Sequence, residues 1–203
     1  MRFRSVVAAV IGAAGLGLAA GPEASAHVLV ENMKGRAGYN EMFTLIVPHG
    51  CGSSPTTELR MKVPPELSQV IPEAPAGWNV QVLKRKVDKP VMRSGRPVTE
   101  VVDEIVWSGN SLPSEHLGLF RFMAGVPNTP DKVLYFKTIQ KCAEGESRWV
   151  DTVPDTEEIW RVWLKDYPSP YAVVIAPDAP QLGVDMKTLA KADAEMKAKA
   201  KPQ

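Results

Sequence analysis

His27 occupies the position with the most distinctive chemistry in this sequence. It follows Ala26 at the end of a leader-like segment, so cleavage there would leave His27 with a free α-amine beside its imidazole. The amine nitrogen and Nδ1 of such a histidine chelate one metal ion, and this pair of nitrogens suits the square-planar preference of Cu(II). Both nitrogens bind only when deprotonated, so affinity should fall as the pH drops through their titration range. The residue types suggest a Cu(II) site, and a histidine placed there by chance is the alternative.

Residues 1–26 have the parts of a secretory signal peptide. Arg2 and Arg4 give a positive start, an apolar stretch follows over about 6–20, and Ala24-Ser25-Ala26 has the small-x-small cleavage pattern. The apolar stretch is short for a span of about 20 residues, which favours cleavage over a membrane anchor. No later stretch is long and apolar enough to cross a bilayer. We therefore expect a mature protein that begins at His27, has no membrane span, and is periplasmic or secreted.

Cys51 and Cys142 are the two cysteines of the chain. In an oxidising compartment, two cysteines far apart in sequence most often pair, which predicts a disulfide. A loop of this length would constrain the unfolded chain by about 4–5 kcal/mol in the entropy model. A copper–thiolate site is the alternative, because His49 stands two residues before Cys51 in the turn-like segment HGCGSSP.

Short segments of strand type recur between turn signals, and they predict an all-β fold. They lie at 27–31, 41–47, 58–63, 79–87, 101–108, 118–126, 133–141 and 147–150, with weaker ones at 159–164 and 171–175. Turn residues separate them, for example at 50–55, 75–77, 89–97 and 127–130. This pattern indicates an antiparallel, immunoglobulin-like β-sandwich over 27–177. From Asp178 onward the chain is rich in alanine and lysine, which predicts a flexible or helical tail over 178–203.

Composition and motifs argue against several classes of function. The net charge is +1, and neither a basic stripe nor an acidic block occurs, so nucleic acid is not an expected partner. The sequence has no GxSxG, HExxH or phosphate-cradling glycine loop, and we expect a protein that is not an enzyme. An oxidative copper enzyme that cleaves polysaccharides also starts with histidine. It needs a second metal-binding histidine, and only His49 or His116 is available.

An ordered set of motifs follows His27. It consists of VPHGCGSSPTTELRMKVP at 47–64, PAGWNV at 75–80, IVWSG at 105–109, LPSEHLGLFRF at 112–122 and VLYFKTIQKCAEGESRWVD at 133–151. In this order, the set resembles the YcnI-like family of exported copper-binding domains, over roughly 27–153. The resemblance implies a β-sandwich that binds Cu(II) with a single-histidine brace, in which His27 supplies amine and ring nitrogen. It also implies that Trp149 lies close to the metal.

The resemblance implies a further ligand that this chain lacks. In the family a glutamate stands directly before a Phe-x-Phe strand motif, and this chain has Leu119 there. Leucine cannot ligate, so the site would lose an anionic oxygen. Glu115 and His116 lie just upstream, and strand parity puts Glu115 on the face of Leu119 and His116 on the opposite face. Glu115, His116 or a water molecule would take the place of the glutamate, or only two residues would hold the metal. Loss of metal binding is a further alternative.

Two hypotheses follow from these features. The first is an exported, non-enzymatic protein that buffers Cu(II) or passes it to another copper-handling protein, with His27 as the primary ligand. The second is a β-sandwich that has lost strong metal binding and serves as an interaction module, for which Leu119 is the best support. Trp160 and Trp163 lie beyond the resemblance, and we expect them to cap the edge of the sandwich or to form a partner surface.

Overall fold

The computed structural model describes residues 27–93, 96–155 and 157–179, together with position 194. Within these residues the chain forms twelve strands and one 3₁₀ helix, which spans Ile159–Leu164 between β11 and β12. The strands are β1 (Leu29–Val30), β2 (Lys34–Arg36), β3 (Asn40–Val47), β4 (Thr56–Lys62), β5 (Ser68–Pro72), β6 (Asn79–Arg93), β7 (Arg96–Leu112), β8 (Gly118–Gly125), β9 (Val133–Tyr135), β10 (Thr138–Cys142), β11 (Glu146–Trp149) and β12 (Tyr171–Ile175).

Two antiparallel sheets pack face to face around one core. The first sheet has the strand order β1-β3-β8-β5, and the second has the order β11-β10-β4-β7-β6. Trp107 of β7 meets Phe120 of β8 across the core, with ring centroids 5.6 Å apart. A third sheet, β2-β12-β9, contains one parallel pair and adds Ala172 and Val174 to the same core. The predicted antiparallel β-sandwich is confirmed.

The side-chain pattern of β8 explains why this segment forms a strand of the sandwich. Phe120 and Phe122 point into the core, whereas Leu119 before them and Arg121 between them are exposed. Successive side chains of a strand point to opposite faces, so one face of β8 is buried in the core and the other is exposed to solvent. The rings of Phe43 and Phe136 lie 5.5 and 5.6 Å from Phe122. Truncation of such a buried ring to alanine typically costs about 3–5 kcal/mol.

Two of the predicted strands were wrong in detail. The segment 159–164 forms the 3₁₀ helix, because its apolar residues at 159, 160, 162 and 163 follow a spacing of three and four instead of alternation. The predicted strand over 133–141 divides into β9 and β10. It divides because the backbone N–H of Phe136 donates to the carbonyl of Pro170 at 2.7 Å, which directs β9 into the third sheet.

The predicted turn over 89–97 was also wrong, since β6 continues to Arg93 and β7 begins at Arg96. Pro90 is tolerated inside β6 because β6 is the edge strand of the second sheet, where a missing donor breaks no ladder bond. The pairing of β6 with β7 is irregular between Lys86 and Val91. Two short strands, β2 and β5, were not expected because neither has an apolar alternating pattern.

Two expectations lie outside the described residues. The predicted signal peptide covers 1–26, and the predicted tail over 178–203 lies outside the described residues except at positions 178, 179 and 194. In the described part of the chain, no helix is long and apolar enough to cross a bilayer.

Candidate functional site

His27 lies two residues before β1, on the margin of the first sheet. β1 pairs antiparallel with β3, and Leu29 lies opposite Ile46. Continuing that register for two residues brings His27 level with Pro48, so that His27 and His49 approach the same end of the sheet. The pairing of β1 with β3 thus determines which loop His27 faces.

Two tryptophans flank the His27 imidazole. The ring of Trp149, at the end of β11, lies 5.3 Å from it in an edge-on arrangement. The ring of Trp163, in the 3₁₀ helix, lies 6.2 Å from it. Trp149 and the neighbouring Val28 are 3% and 1% exposed, whereas His27 itself is half-buried. The structure therefore brings His27 and Trp149 together, holds the backbone next to His27 in the core, and leaves one side of the imidazole open.

A second pair of rings supports the two tryptophans. Tyr167 lies 5.7 Å from Trp149, and Tyr171 lies 5.9 Å from Trp163. Within the described part of the chain, the buried Nε1 of Trp163 has no hydrogen-bond partner. An unpaired buried donor of this kind costs about 1–3 kcal/mol.

Gln140 joins Trp149 to the loop that carries His49. Its side chain, 1% exposed in the middle of β10, accepts a hydrogen bond from Trp149 Nε1 at 3.0 Å. Its Nε2 donates to the carbonyl of His49 at 2.7 Å and to Thr56 Oγ1 at 2.8 Å. These bonds use the acceptor and both donors of the amide and so fix its orientation. Gln140 thereby connects the ring against which His27 packs to the backbone of His49.

A disulfide clamps the loop that carries His49. Cys51 and Cys142 are bonded, with an S–S distance of 2.04 Å and Cα atoms 6.0 Å apart. This confirms the predicted disulfide and removes the copper–thiolate alternative, because both cysteines of the chain are used. On the other side of the loop, the N–H of Gly50 donates to the carbonyl of Ser114 at 3.2 Å. The loop is therefore held at the two residues that follow His49.

The environment of His27 favours a neutral imidazole. Burial lowers the pKa of His27 below its ordinary value of 6.5, and repulsion from the charge of His49 lowers it further. Metal binding requires the deprotonated ring, because the proton and the metal compete for the same lone pair. His27 is therefore in its ligating form at neutral pH.

The two candidates upstream of β8 lie on an exposed turn. Hydrogen bonds from its own backbone N–H and from the Ser114 hydroxyl lower the pKa of Glu115, and the Ser114 bond is 3.1 Å long. The backbone N–H of His116 donates to the carbonyl of Pro113 at 3.0 Å, which closes the turn. The side chains of Glu115 and His116 are both exposed. The structure thus places them on the surface, in contrast to the half-buried His27.

Leu119, where the family resemblance implies a glutamate, faces outward. It is 38% exposed and pairs with Ile46 of β3, which in turn pairs with Leu29 of β1. Leu29, Ile46 and Leu119 therefore share the outward face of the first sheet.

The donor set beside His27 fits a copper ion. Over the ranges that the structure describes, no group of three or more His, Cys, Asp or Glu side chains could hold a metal. A metal at His27 would rely on fewer side chains and on the α-amine that cleavage would create. The imidazoles of His27 and His49 are close enough for their charges to interact. Nitrogen donors of this kind suit Cu(II), whereas Mg²⁺ and Ca²⁺ prefer oxygen.

The sequence alone predicted no role for Gln140, and for Trp163 only a cap on the edge of the sandwich or a partner surface. Gln140 does carry a signal, because it stands between Thr138 and Cys142 at the inward positions of β10. A polar side chain at a core position needs internal hydrogen-bond partners. Trp163 and the importance of His49 have no comparable signal, because both depend on contacts between distant segments.

Comparison with known proteins supports this fold. The crystal structure of an uncharacterized protein from Nocardia farcinica, described as having an immunoglobulin-like fold, matches with a TM-score of 0.53 and 17% sequence identity. The match covers 73% of this chain and 98% of that one, and it confirms the predicted immunoglobulin-like architecture. No curated protein matches the chain. The family model described as "Domain of unknown function (DUF1775)" matches residues 27–162, the segment that contains the two sheets, His27, His49 and Trp149. This chain therefore belongs to the DUF1775 family, which is the YcnI-like family.

Proposed function

We propose that this chain is an exported, non-enzymatic protein that binds Cu(II) at His27. The observation that carries the proposal is the setting of His27, whose half-buried imidazole packs 5.3 Å from the buried ring of Trp149, directly after the predicted cleavage site. Cleavage there would add an α-amine to the same residue and complete a bidentate nitrogen ligand. Membership of the family supports the proposal, because the sequence resemblance implies exported copper binding.

The surroundings of His27 suit a site that takes up and releases a metal. The backbone is fixed by β1 and the ring is flanked by Trp149 and Trp163, so little freedom would be lost on binding. The imidazole is only half-buried, which leaves a path for the ion. We therefore propose that the protein buffers Cu(II) outside the cytoplasm or passes it to another copper-handling protein.

Cu(II) titration followed by electron paramagnetic resonance tests the proposal. The protein would begin at His27, and a control would carry one extra residue before His27, which converts the α-amine into an amide. We expect one-to-one binding with nitrogen hyperfine structure that is lost in the control and in His27→Ala. Weak binding that is unaffected by the extra residue would refute the N-terminal brace.

The proposed cleavage site is tested separately by the mass of the exported protein. We expect a chain that begins at His27, since Ala24-Ser25-Ala26 supplies the cleavage pattern. A mature chain with any other first residue would lack the bidentate ligand and would remove the basis of the proposal.

The second candidate function is an interaction module without strong metal binding. It is favoured by the apolar side chain of Leu119, which cannot ligate a metal, and by the lack, among the described residues, of a metal-holding group of three side chains. One measurement separates the two candidates. If the protein binds copper at His27, added Cu(II) raises the unfolding temperature of the wild type and leaves that of His27→Ala unchanged; if it is an interaction module, added Cu(II) changes neither.

A further inference from the structure

We propose that His49 supplies a second imidazole to the metal site at His27, so that two histidines hold the ion where the family resemblance expects a histidine and a carboxylate. This inference rests on the proposed function and concerns the identity of the missing ligand. Four observations carry it: the register of the first sheet, the contacts through Trp149 and Gln140, the closely packed loop between β3 and β4, and the orientation of the His49 ring.

The register of the first sheet brings the two histidines to one place. Leu29 of β1 pairs with Ile46 of β3, so the chain preceding β1 and the chain following β3 leave the sheet side by side. His27 precedes Leu29 by two residues, and His49 follows Ile46 by three. The loop after β3 is therefore the segment of the chain that the sheet holds next to His27.

A continuous set of contacts also joins them through the second sheet. His27 packs on Trp149 at 5.3 Å, Trp149 donates to Gln140 at 3.0 Å, and Gln140 donates to the carbonyl of His49 at 2.7 Å. Both histidines are thus attached to the same buried pair, Trp149 and Gln140. A buried amide with all its hydrogen bonds made positions its partners firmly, because a shift of either partner would leave a polar group unpaired.

The loop around His49 has little freedom to move. The disulfide fixes Cys51 to β10, and Cys51 and Ser54 exchange backbone hydrogen bonds of 3.0 and 3.1 Å. A Cβ on Gly50 would lie 1.9 Å from the carbonyl oxygen of Ser54, so the backbone there is packed as closely as glycine permits. A ligand on such a loop is preorganised, which strengthens binding by reducing the entropy that must be lost.

The ring of His49 is held in a tautomer that suits metal binding. Its Nδ1 donates to the carbonyl of Gly50, so the neutral ring carries its lone pair on Nε2. A backbone carbonyl that accepts the proton of one ring nitrogen is a common way of orienting a histidine ligand in proteins.

The remaining histidine offers a contrast. His116 lies on the exposed turn that precedes β8, and its backbone closes that turn through Pro113. It has the same residue type as His49 without the link to Gln140. His116→Gln is therefore the matched control for His49→Gln.

The test uses Cu(II) with the chain from His27 to its C-terminus. Pulsed electron paramagnetic resonance counts the imidazoles coupled to the metal, and calorimetric titration gives the affinity. We expect two coupled imidazoles in the wild type and in His116→Gln. In His49→Gln we expect one coupled imidazole and an affinity at least about tenfold weaker, since loss of a second-shell partner alone weakens metal affinity by about 10–100-fold.

The outcomes separate this inference from the proposed function. If His27→Ala abolishes binding while His49→Gln keeps wild-type affinity and spectrum, ligation by His49 is refuted and the copper function at His27 stands. If His27→Ala also binds as the wild type does, both fail. The count of imidazoles in the wild type decides the matter even if His49→Gln does not fold: one coupled imidazole would overturn the inference.

Discussion

Replacement of Gln140 by leucine tests the internal framework of the site. The amide of Gln140 is buried and bonds Trp149 Nε1, Thr56 Oγ1 and the carbonyl of His49. Leucine has a similar size but can pair with none of them, so Gln140→Leu leaves at least two fully buried groups, on Trp149 and Thr56, without a partner. Each unsatisfied buried group costs about 1–3 kcal/mol, and the added apolar surface of leucine returns about 1 kcal/mol.

We therefore expect Gln140→Leu to lower the free energy of unfolding by about 1–5 kcal/mol. For a domain of this size the unfolding temperature should fall by roughly 2–20 °C. Copper affinity should fall as well, because the ring beside His27 and the loop of His49 both lose their support. Thermal and urea unfolding of the oxidised, metal-free protein measures the first effect, and calorimetric titration with Cu(II) measures the second.

Gln81→Leu is the matched control for this substitution. Gln81 is exposed on the edge strand β6, so the same chemical change should alter stability by no more than about 0.5 kcal/mol. Equal, small losses in the two variants would show that the hydrogen bonds of Gln140 do not hold the site together, and would refute this account of how Trp149 and the His49 loop are positioned.

Three further predictions concern the disulfide, the loop and the pH dependence. Serine at both Cys51 and Cys142 should lower the free energy of unfolding by up to about 4–5 kcal/mol; reductant should destabilise the wild type towards the same value in urea titrations and leave the double variant unchanged. Gly50→Ala should destabilise the protein by about 1–3 kcal/mol in the same assay, because its Cβ would lie 1.9 Å from the carbonyl oxygen of Ser54; wild-type stability would contradict the packing described. The pKa of His27 in the folded state is lowered from 6.5, so as the pH falls the unfolded chain takes up this proton before the folded chain does. The contribution of His27 to stability should therefore be lost as the pH falls from about 6.5 towards the lowered pKa. An NMR titration of His27 in the metal-free protein with a midpoint at or above 6.5 would contradict this.

The strands of this fold could be predicted because alternate side chains of a strand face the core, so apolar residues recur at every second position. Leu59 and Met61 of β4 alternate with polar residues, and both are fully buried. The same reasoning failed where other forces decide local structure. The 3₁₀ helix of 159–164 follows the spacing of its apolar residues in threes and fours, and Pro90 continues β6 because an edge strand needs no donor there.

The site was predictable only in part, because its members meet through the tertiary fold. His27 was found from the cleavage pattern and Trp149 from the family resemblance, and the structure places their rings 5.3 Å apart. The positions of His49 and Trp163 depend on the pairing of β1 with β3 and on the docking of the 3₁₀ helix. No local sequence pattern records such contacts. The sequence therefore pointed to Glu115 and His116, which lie on an exposed turn, as replacements for the missing metal ligand.

The proposed site would depend on two covalent events that occur outside the cytoplasm. Removal of residues 1–26 would create the α-amine of His27, and an oxidising compartment allows Cys51 and Cys142 to form the disulfide that fixes the loop of His49. Before export, the chain would have neither the amine nor the clamped imidazole. Copper affinity should therefore arise in two separable steps, so that reduced protein beginning at His27 binds more weakly than the oxidised form, and oxidised protein that retains an extra residue binds more weakly still. Equal affinity of reduced and oxidised protein would show that the disulfide stabilises the fold without organising the metal site.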